Sequence, residues 1–329
     1  MKSIFIFSDG ELRRKGNTIY FDTKAGKKFV PVENVREILV FGEISLTKKI
    51  LELFSQKEIL VHFFNYYGYY TGSFYPREHY NSGYMLLKQC EFYLNRSKRF
   101  ELAKRFVLGA YQNMCKVLQY YITRGIDLKF FLDNIDNLKT RIKDLETIDE
   151  LRAIEGNMRH YYYCAFDKII QDDKFKFDVR TKRPPKNRLN ALISFGNSLL
   201  YITVLSEIYK THLDPRIGFL HETNERRFTL NLDVAEVFKP IIVDRVIFTL
   251  LNKKMLDEND FDSELKGIYL KPKGRITFIK EFDKKLNTTI KHEKLKRNVS
   301  YRTLIRMELY KLEKHFMGDE EYIPFLAKQ

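Results

Sequence analysis

Hydrophobic and polar positions alternate with the period of β-strands in the first part of the chain. The segments that show this alternation, or a short apolar run, are residues 3–8, 18–21, 28–32, 37–41 and 59–64. Lys15-Gly16-Asn17 provides a turn, residues 46–56 fit a short helix, and a glycine-punctuated aromatic hairpin fits residues 66–75. The pattern predicts a small, β-sandwich-like domain over residues 1–80, with Pro76 close to its end.

Beyond residue 80 the apolar spacing changes to that of helices, and glycine and proline become sparse. Long helical periodicity covers residues 84–124, and Thr147-Ile148-Asp149-Glu150 has the form of a capping box at the start of another helix. Further helices are predicted over residues 188–211, 233–251, 275–286 and 300–316. The fold class is therefore predicted as α+β, with a larger all-α domain over residues 81–329.

The charge of the chain indicates an acidic partner. Its 58 Lys and Arg outnumber 43 Asp and Glu, which gives a net charge of +15. Residues 1–86 hold 12 basic and 9 acidic side chains, so most of the excess belongs to the helical part. Two runs concentrate it, residues 174–188 and residues 266–306. One such run is often only a solvated face, but two in one domain favour nucleic acid over an anionic membrane.

Other compartments and chemistries have less support in the sequence. No apolar run approaches the roughly 18 residues of a membrane span, and the start has too short an apolar run for a signal peptide. The three cysteines, Cys90, Cys115 and Cys164, lie far apart without a Cys-x-x-Cys spacing, so a disulfide framework or zinc site is not expected. We expect a cytoplasmic protein without membrane partners.

Glu155 lies at the edge of the apolar stripe of its predicted helix, one turn from Leu151 and Met158. A carboxylate partly withdrawn from water needs a metal, an arginine or a hydrogen-bond donor nearby. The alternative is a glutamate that tilts outward into solvent. His221 follows a turn-rich Gly-Phe-Leu stretch and could be a metal ligand, or an ordinary hydrogen-bonded histidine.

Asp233 and Glu236 are three residues apart, so on a helix they share a face and could meet one ion. The same Asp-x-x-Glu spacing before an apolar run is also how a helix is capped, with Asp233 as the cap and Glu236 folding back. From the sequence alone both explanations stay open, and Asp233 could do both jobs while Glu236 faces a metal.

These weak signals gain meaning from a pattern of three blocks. The blocks are residues 186–201, Asp214-Pro215-Arg216-Ile217-Gly218-Phe219-Leu220-His221, and Leu232-Asp233-Val234-Ala235-Glu236-Val237-Phe238-Lys239-Pro240 with the following Val243-Asp244-Arg245. In this order they resemble the CRISPR-associated protein one family, the spacer-acquisition integrases and endonucleases. The resemblance covers nearly the whole chain. One departure is Lys239, where the family's Pro-Phe-Arg-Pro has arginine, which affects a phosphate contact rather than the metal site.

The resemblance implies a β-sandwich-like N-terminal domain for dimerisation and partner contact, an α-helical catalytic domain, a homodimer, and a complex with a small dimeric partner of the same adaptation system. It places the metal ligands on Glu155, His221 and Glu236, with Asp233 as a supporting catalytic residue. Mn²⁺ or Mg²⁺ would be the cofactor, with Mn²⁺ favoured by the mixed nitrogen and oxygen donors.

We therefore expect metal-dependent cleavage and strand transfer on double-stranded DNA, in which a 3′-hydroxyl attacks a repeat phosphodiester. The expected DNA contacts are Arg180, Lys182, Arg183, Lys186, Arg188 and Lys239. Three rivals remain: a basic DNA-binding scaffold without catalysis, a membrane-surface protein, and a tyrosine recombinase. The last has little support, since no histidine is followed three residues later by arginine.

Overall fold

The computed structural model describes residues 1–77, 80, 82–223, 228–264, 267–293 and 295–327. The chain separates into two compact units, Met1–Asn81 and Ser82–Gln329. The first is rich in strands and the second in helices, which confirms the predicted α+β class.

The described residues of the first unit form eight strands and one α-helix. They are β1 (Lys2–Ile6), β2 (Gly10–Lys15), β3 (Thr18–Thr23), β4 (Gly26–Pro31), β5 (Val35–Val40), β6 (Ile44–Leu46), α1 (Lys48–Gln56), β7 (Leu60–Phe64) and β8 (Tyr70–Phe74). One four-stranded sheet has the order β1-β5-β7-β8, with the first three strands parallel, and the other has the order β4-β3-β2-β6. Both sheets and α1 contribute to one core, for example through Leu12, Ile38 and Leu53.

Ten α-helices and two short hairpins are found among the described residues of the second unit. The second unit contains α2 (Gly83–Leu94), α3 (Arg96–Ile122), α4 (Lys129–Thr140), α5 (Ile148–Cys164), α6 (Phe166–Ile170), α7 (Arg188–Ile208), α8 (Leu230–Phe238), α9 (Arg245–Asn252), β9 (Phe261–Glu264), β10 (Gly267–Leu270), α10 (Pro272–Asn287), β11 (Thr289–Lys291), β12 (Asn298–Ser300) and α11 (Tyr301–Met317). Strands β9 and β10 pair antiparallel, as do β11 and β12. The sequence analysis did not predict α4. It also missed both hairpins, because their strands are only three or four residues long.

Two long predicted helices are interrupted. The predicted helix over residues 84–124 breaks at Asn95, which ends α2 and whose side chain accepts a hydrogen bond from the amide of Lys98 in the first turn of α3. The predicted helix over residues 233–251 begins earlier and breaks near Pro240, where a π-helical turn, Pro240–Asp244, separates α8 from α9. Proline cannot donate the backbone hydrogen bond that a continuous α-helix needs.

Helix α7 corrects the expectation that no segment approaches the length and apolarity of a membrane span. It has 21 residues and a mean hydropathy of 1.4 over its most apolar 18 residues. Because 83% of that window is buried inside the protein, the apolar surface of α7 is covered by its neighbours. The helix packs against α8 and α11, which makes it the central core helix of the second unit.

Candidate active site

Helix α5 presents Glu155 together with a basic residue one turn later. The helix begins with the predicted capping box, in which Thr147 and Glu150 satisfy each other's backbone amides. This register places Arg159 four residues after Glu155, and its Nε lies 3.3 Å from Oε1 of Glu155. The side chain of Glu155 is 21% exposed, so it neither points freely into solvent nor lies in the core.

Glu236, on α8, is buried between two cations. Nη2 of Arg159 donates to Oε2 of Glu236 at 2.6 Å, and Nζ of Lys239 donates to Oε1. Burial would raise the pKa of Glu236, but the charges of Lys239, Arg159 and His221 hold it below its ordinary value. Arg159 therefore bridges Glu155 and Glu236. Glu236, Arg159 and Lys239 all stay charged near neutral pH.

His221 is oriented by Asp233. Its Nδ1 lies 2.7 Å from Oδ1 of Asp233, and 31% of its side chain remains exposed. Burial would lower the pKa of His221, but the hydrogen bond and charge of Asp233, with a smaller contribution from Glu236, raise it above its ordinary value. When the imidazole is neutral, Nδ1–H donates to Asp233 and the lone pair of Nε2 is free to bind a ligand.

Asp233 does not cap its own helix, which corrects the capping-box explanation. Helix α8 begins at Leu230, and Asp233 lies buried in its first turn. Its carboxylate accepts the backbone amides of Phe219, Leu220 and His221 at 2.5, 3.0 and 2.9 Å. The acid thus holds the Gly-Phe-Leu-His loop against α8, while Glu236 faces Arg159 and Lys239 instead of folding back.

Thr229, immediately before α8, fixes the beginning of the same loop. Its hydroxyl accepts the amide of Gly218 at 2.8 Å and donates to the carbonyl of Arg216 at 2.7 Å. A Cβ atom at Gly218 would come within 2.8 Å of Thr229, so this close approach requires glycine. Together, Thr229 and Asp233 determine where His221 stands relative to α8.

The end of α8 is tied to the C-terminal segment by a buried asparagine of α3. Nδ2 of Asn113 donates to the carbonyls of Val237 and Phe325, and Oδ1 accepts the amide of Ala327, each at 2.9 Å. The ring of Phe238 also stacks on Phe325, with the centroids 5.7 Å apart. The segment that follows α11 therefore supports the helix that carries Glu236.

Asp244, at the end of the π-helical turn, is a buried acid near these charges. Its carboxylate and the buried hydroxyl of Tyr162 lie close enough to shift each other's pKa, and the Tyr162 hydroxyl acts to lower that of Asp244. Burial raises the pKa of Asp244 to about 7, although the charges of Arg159 and Lys239 act in the opposite direction. Its charge in turn contributes to the raised pKa of Arg159.

The predicted DNA contacts fall into two groups. Lys182, Arg183 and Lys186 are exposed. Three others are engaged within the protein. Arg180 donates to Asn190 and Ser194 at 3.0 Å, and Arg188 donates to the carbonyl of Lys174 at 3.2 Å. Lys239 is buried at 6% exposure against Glu236, so in this structure it is a partner of the acid and is not presented to a DNA backbone.

Lys182 stands out among the exposed cations because the acids of the site act on it. Partial burial lowers its pKa, and the neighbouring charges of Lys239 and Arg180 do so as well. Glu236 and Glu155 act in the opposite direction. The partly buried ammonium group of Lys182 thus lies within electrostatic range of both candidate metal ligands.

Glu155, Glu236 and His221 are chemically suitable ligands for a divalent ion, although their side chains do not converge on one point in this structure. Across the described ranges, no three Asp, Glu, His or Cys side chains stand in the arrangement of a metal site. Glu155 and Glu236 are instead held by Arg159 and Lys239, while His221 is held by Asp233. Two ionised carboxylates and an imidazole whose Nε2 is available are nevertheless suitable donors for Mn²⁺ or Mg²⁺.

Comparison with known proteins assigns the chain to a family. The family model described as "CRISPR associated protein Cas1" matches residues 4–284. The chain belongs to the Cas1 family. A relative from Thermodesulfovibrio yellowstonii named "CRISPR-associated endonuclease Cas1 2" is 60% identical over 326 residues, which cover 99% of each chain. The resemblance inferred from the three sequence blocks is thereby confirmed.

Solved structures support the same assignment. A Cas1 protein from Thermotoga maritima superposes with a TM-score of 0.87 at 47% identity, and the match covers 100% of both chains. A casposase bound to its integration product has a TM-score of 0.86, covering 98% of this chain and 93% of the other. Since that casposase is only 20% identical, its similarity shows the shared fold alone.

Sequence reasoning missed Arg159 and Asp244 as residues of the site, and it assigned Lys239 to DNA instead of to Glu236. Arg159 follows Glu155 by four residues and Lys239 follows Glu236 by three, spacings at which opposite charges meet on a helix. Those spacings were available signals. Asp244 interrupts an apolar run, which marks a buried acid, but its neighbours Arg159 and Tyr162 are about eighty residues away in sequence and could not be inferred from the spacing.

Proposed function

We propose that this Cas1-family chain is a divalent-metal-dependent DNA endonuclease and strand-transferring integrase of CRISPR adaptation. The observation that carries the proposal is the bridge that Arg159 forms between Glu155 and Glu236, with His221 held by Asp233 on the loop before α8. Candidate donors from three separate parts of the chain are thus connected within one charged network. The relatives named endonucleases support the same activity.

Glu155, His221 and Glu236 would hold the Mn²⁺ or Mg²⁺ ion. When bound, the ion supplies Lewis-acid stabilisation of a phosphate under attack. Asp233 keeps Nε2 of His221 as the donor atom by accepting the proton of Nδ1. Arg159 and Lys239 keep Glu236 ionised, and they occupy the carboxylate oxygens that would otherwise hold the ion.

The proposed reaction is a transesterification on DNA. The 3′-hydroxyl of the incoming strand attacks a phosphorus atom of the CRISPR repeat, forms a new phosphodiester bond and expels the 3′-oxygen of the repeat strand. The hydroxyl proton passes to solvent, and the departing oxygen takes up a proton. When water replaces the 3′-hydroxyl as nucleophile, the same exchange is strand cleavage, so no covalent protein intermediate is needed.

The exposed cations would follow the DNA backbone. Lys182 is the strongest candidate for a phosphate contact next to the reacting bond, because Glu155 and Glu236 both act on its charge. Arg183 and Lys186, exposed on the same segment, would bind neighbouring phosphates. We expect affinity for double-stranded DNA to fall steeply as the salt concentration rises.

The assembly is also part of the proposal. By family membership we propose a homodimer that binds a small dimeric partner of the adaptation system and acts in the cytoplasm. Size-exclusion chromatography with light scattering tests the dimer directly. A measured molar mass equal to that of a single chain would contradict the dimer.

The test of the activity is a strand-transfer assay with purified protein, a short labelled duplex and a supercoiled plasmid that carries the repeat. Joining is expected with Mn²⁺ or Mg²⁺ and is expected to stop with a chelator. Glu155→Gln, Glu236→Gln and His221→Ala should each reduce joining and cleavage at least about 100-fold. Glu101→Gln, an exposed glutamate on α3, is the matched control and should retain full activity.

The same assay discriminates the non-catalytic scaffold, which the cation-paired state of Glu236 favours. A scaffold would bind the duplex equally well with chelator, and the three variants would leave any residual joining unchanged. Equilibrium dialysis with Mn²⁺ alone adds a readout that does not depend on activity. Unchanged Mn²⁺ binding in Glu155→Gln and Glu236→Gln would remove these residues from the metal site.

A further inference from the structure

Two arginines lie against one tyrosine where α3 ends and α9 begins. The guanidinium carbon of Arg245 is 4.2 Å from the ring centroid of Tyr120, and that of Arg124 is 4.4 Å from the same ring. Both arginines are close enough to Tyr121 for their charges to act on its hydroxyl. Tyr120 thus holds two positive charges close together.

A third cation joins this group from α10. Nζ of Lys285 lies 4.2 Å from the ring centroid of Tyr301, the first residue of α11. The charge of Arg245 acts on both Lys285 and Tyr301. The three cations therefore form one group, which we call the cationic patch: Arg124, Arg245 and Lys285. Arg124 is exposed, while Arg245 and Lys285 are half-buried.

No carboxylate compensates the cationic patch among the described residues. The side chains of Arg124, Arg245 and Lys285 make no ion pair and no hydrogen bond there, and no acid acts on Lys285 or Tyr301. By contrast, Arg306, another half-buried cation of this unit, is paired with the buried Glu207. Three like charges held together without an acid favour binding of an external anion.

We propose that the cationic patch is a phosphoanion-binding site, separate from the Glu155 and Glu236 site, that contacts the backbone of bound DNA. The ring of Tyr120 already contacts two guanidinium groups and the ring of Tyr121, so the patch is suited to phosphate groups rather than to stacked bases. Arginine forms paired hydrogen bonds with phosphate oxygens, and a half-buried ammonium group adds a charge that water screens poorly. No contact joins the patch to Glu155, His221 or Glu236 among the described residues.

The proposal takes from the proposed function only that the chain binds DNA. Binding of a labelled duplex is measured by fluorescence anisotropy in EDTA, so that catalysis plays no part. The test variant carries Arg124→Gln, Arg245→Gln and Lys285→Gln. The control carries Lys139→Gln, Arg141→Gln and Lys143→Gln, which removes the same charge from an exposed segment.

The test variant should bind the duplex about 10- to 100-fold more weakly at 100 mM salt. The slope of log affinity against log salt concentration should be smaller in magnitude by roughly 2 to 3, since each lost phosphate contact reduces it by about 0.9. The control should lose far less. A charge-preserving variant with Arg124→Lys, Arg245→Lys and Lys285→Arg should retain most of the binding, which separates lost charge from misfolding.

Inorganic phosphate, added at constant ionic strength, distinguishes two sources of the phosphoanion. If it displaces the duplex from the wild type but not from the test variant, the patch also accepts free phosphate; if it displaces neither, the patch requires a polyanion backbone. Equal losses in the test and control variants would overturn the proposal. Full joining by Glu155→Gln would instead refute the proposed function and leave the binding comparison unaffected.

Discussion

Nη2 of Arg159 lies 2.6 Å from Oε2 of Glu236, although 77 residues separate the two along the chain. Both side chains are buried, and the same guanidinium also donates to Glu155. The bridge therefore connects α5 to α8 and places the two candidate carboxylate ligands on either side of one cation. A buried charge of this kind is costly to leave without its partner.

Replacing Arg159 by methionine should lower the free energy of unfolding by about 3 kcal/mol, because Glu236 then loses one of its two cations in a buried position. Urea unfolding followed by circular dichroism measures the change. Arg152→Met, on the same helix but with a 46% exposed side chain, is the control and should change stability by less than about 1 kcal/mol. Equal effects of the two substitutions would contradict the role of the bridge.

Asp233→Asn should lower the pKa of His221, because the negative charge that stabilises the imidazolium is removed. NMR titration of the imidazole protons measures this, with His221→Gln used to assign the resonance. Asp214→Asn removes an acid that is paired with Arg216 before the same loop, and it should leave the pKa of His221 unchanged. An unchanged pKa in Asp233→Asn would show that Asp233 does not set the charge of His221.

Asp244→Asn should make the protein more stable relative to wild type as the pH rises. Burial raises the pKa of Asp244 from 3.8 to about 7, so the folded state binds this proton more tightly than the unfolded chain. Its contribution to stability is fully present below pH 3.8 and is lost as the pH rises through about 7. The free energy of unfolding of Asp244→Asn, relative to that of the wild type, should therefore increase by about 2 kcal/mol from pH 5 to pH 8.

Urea unfolding at the two pH values measures the effect of Asp244→Asn. Asp319→Asn removes the same charge from an exposed position and should show no such growth. A constant difference between Asp244→Asn and wild type across this range would mean that Asp244 does not titrate between pH 5 and pH 8.

Two helical glycines should respond to alanine with opposite signs. A Cβ atom at Gly196, on α7, would lie 2.5 Å from Val243 and 2.8 Å from Phe278, so Gly196→Ala should cost about 1 to 3 kcal/mol. Gly156, beside Glu155 on α5, has nothing within 4 Å of the same position. Gly156→Ala should therefore stabilise the protein by roughly 0.5 to 1 kcal/mol. Thermal unfolding of both variants checks the pair, and a loss of stability in Gly156→Ala would be inconsistent with this packing.

Local patterns predicted much of the fold correctly. Examples are the alternation in the first unit and the apolar periodicity of α5, α7, α10 and α11. Residues on one face of a strand or helix recur at a fixed short spacing, so the pattern can be recognised from the local sequence alone. The predictions that went wrong depend on single residues within long periodic stretches. Asn95 caps a new helix inside one such stretch, and Pro240 interrupts another, while the flanking apolar residues keep the same spacing.

The sequence by itself determined the succession of strands and helices, the positive charge that calls for a polyanion, and the placement of Arg159 one turn after Glu155. These follow from interactions within about four residues, which helix and strand geometry fixes. Only the tertiary structure decided that Arg159 reaches Glu236, that Asp233 binds the His221 loop instead of capping α8, and that Asp244 is buried beside Tyr162. Such partners are chosen by the packing of distant helices, because burial makes an unpaired charge costly and therefore selects which groups meet.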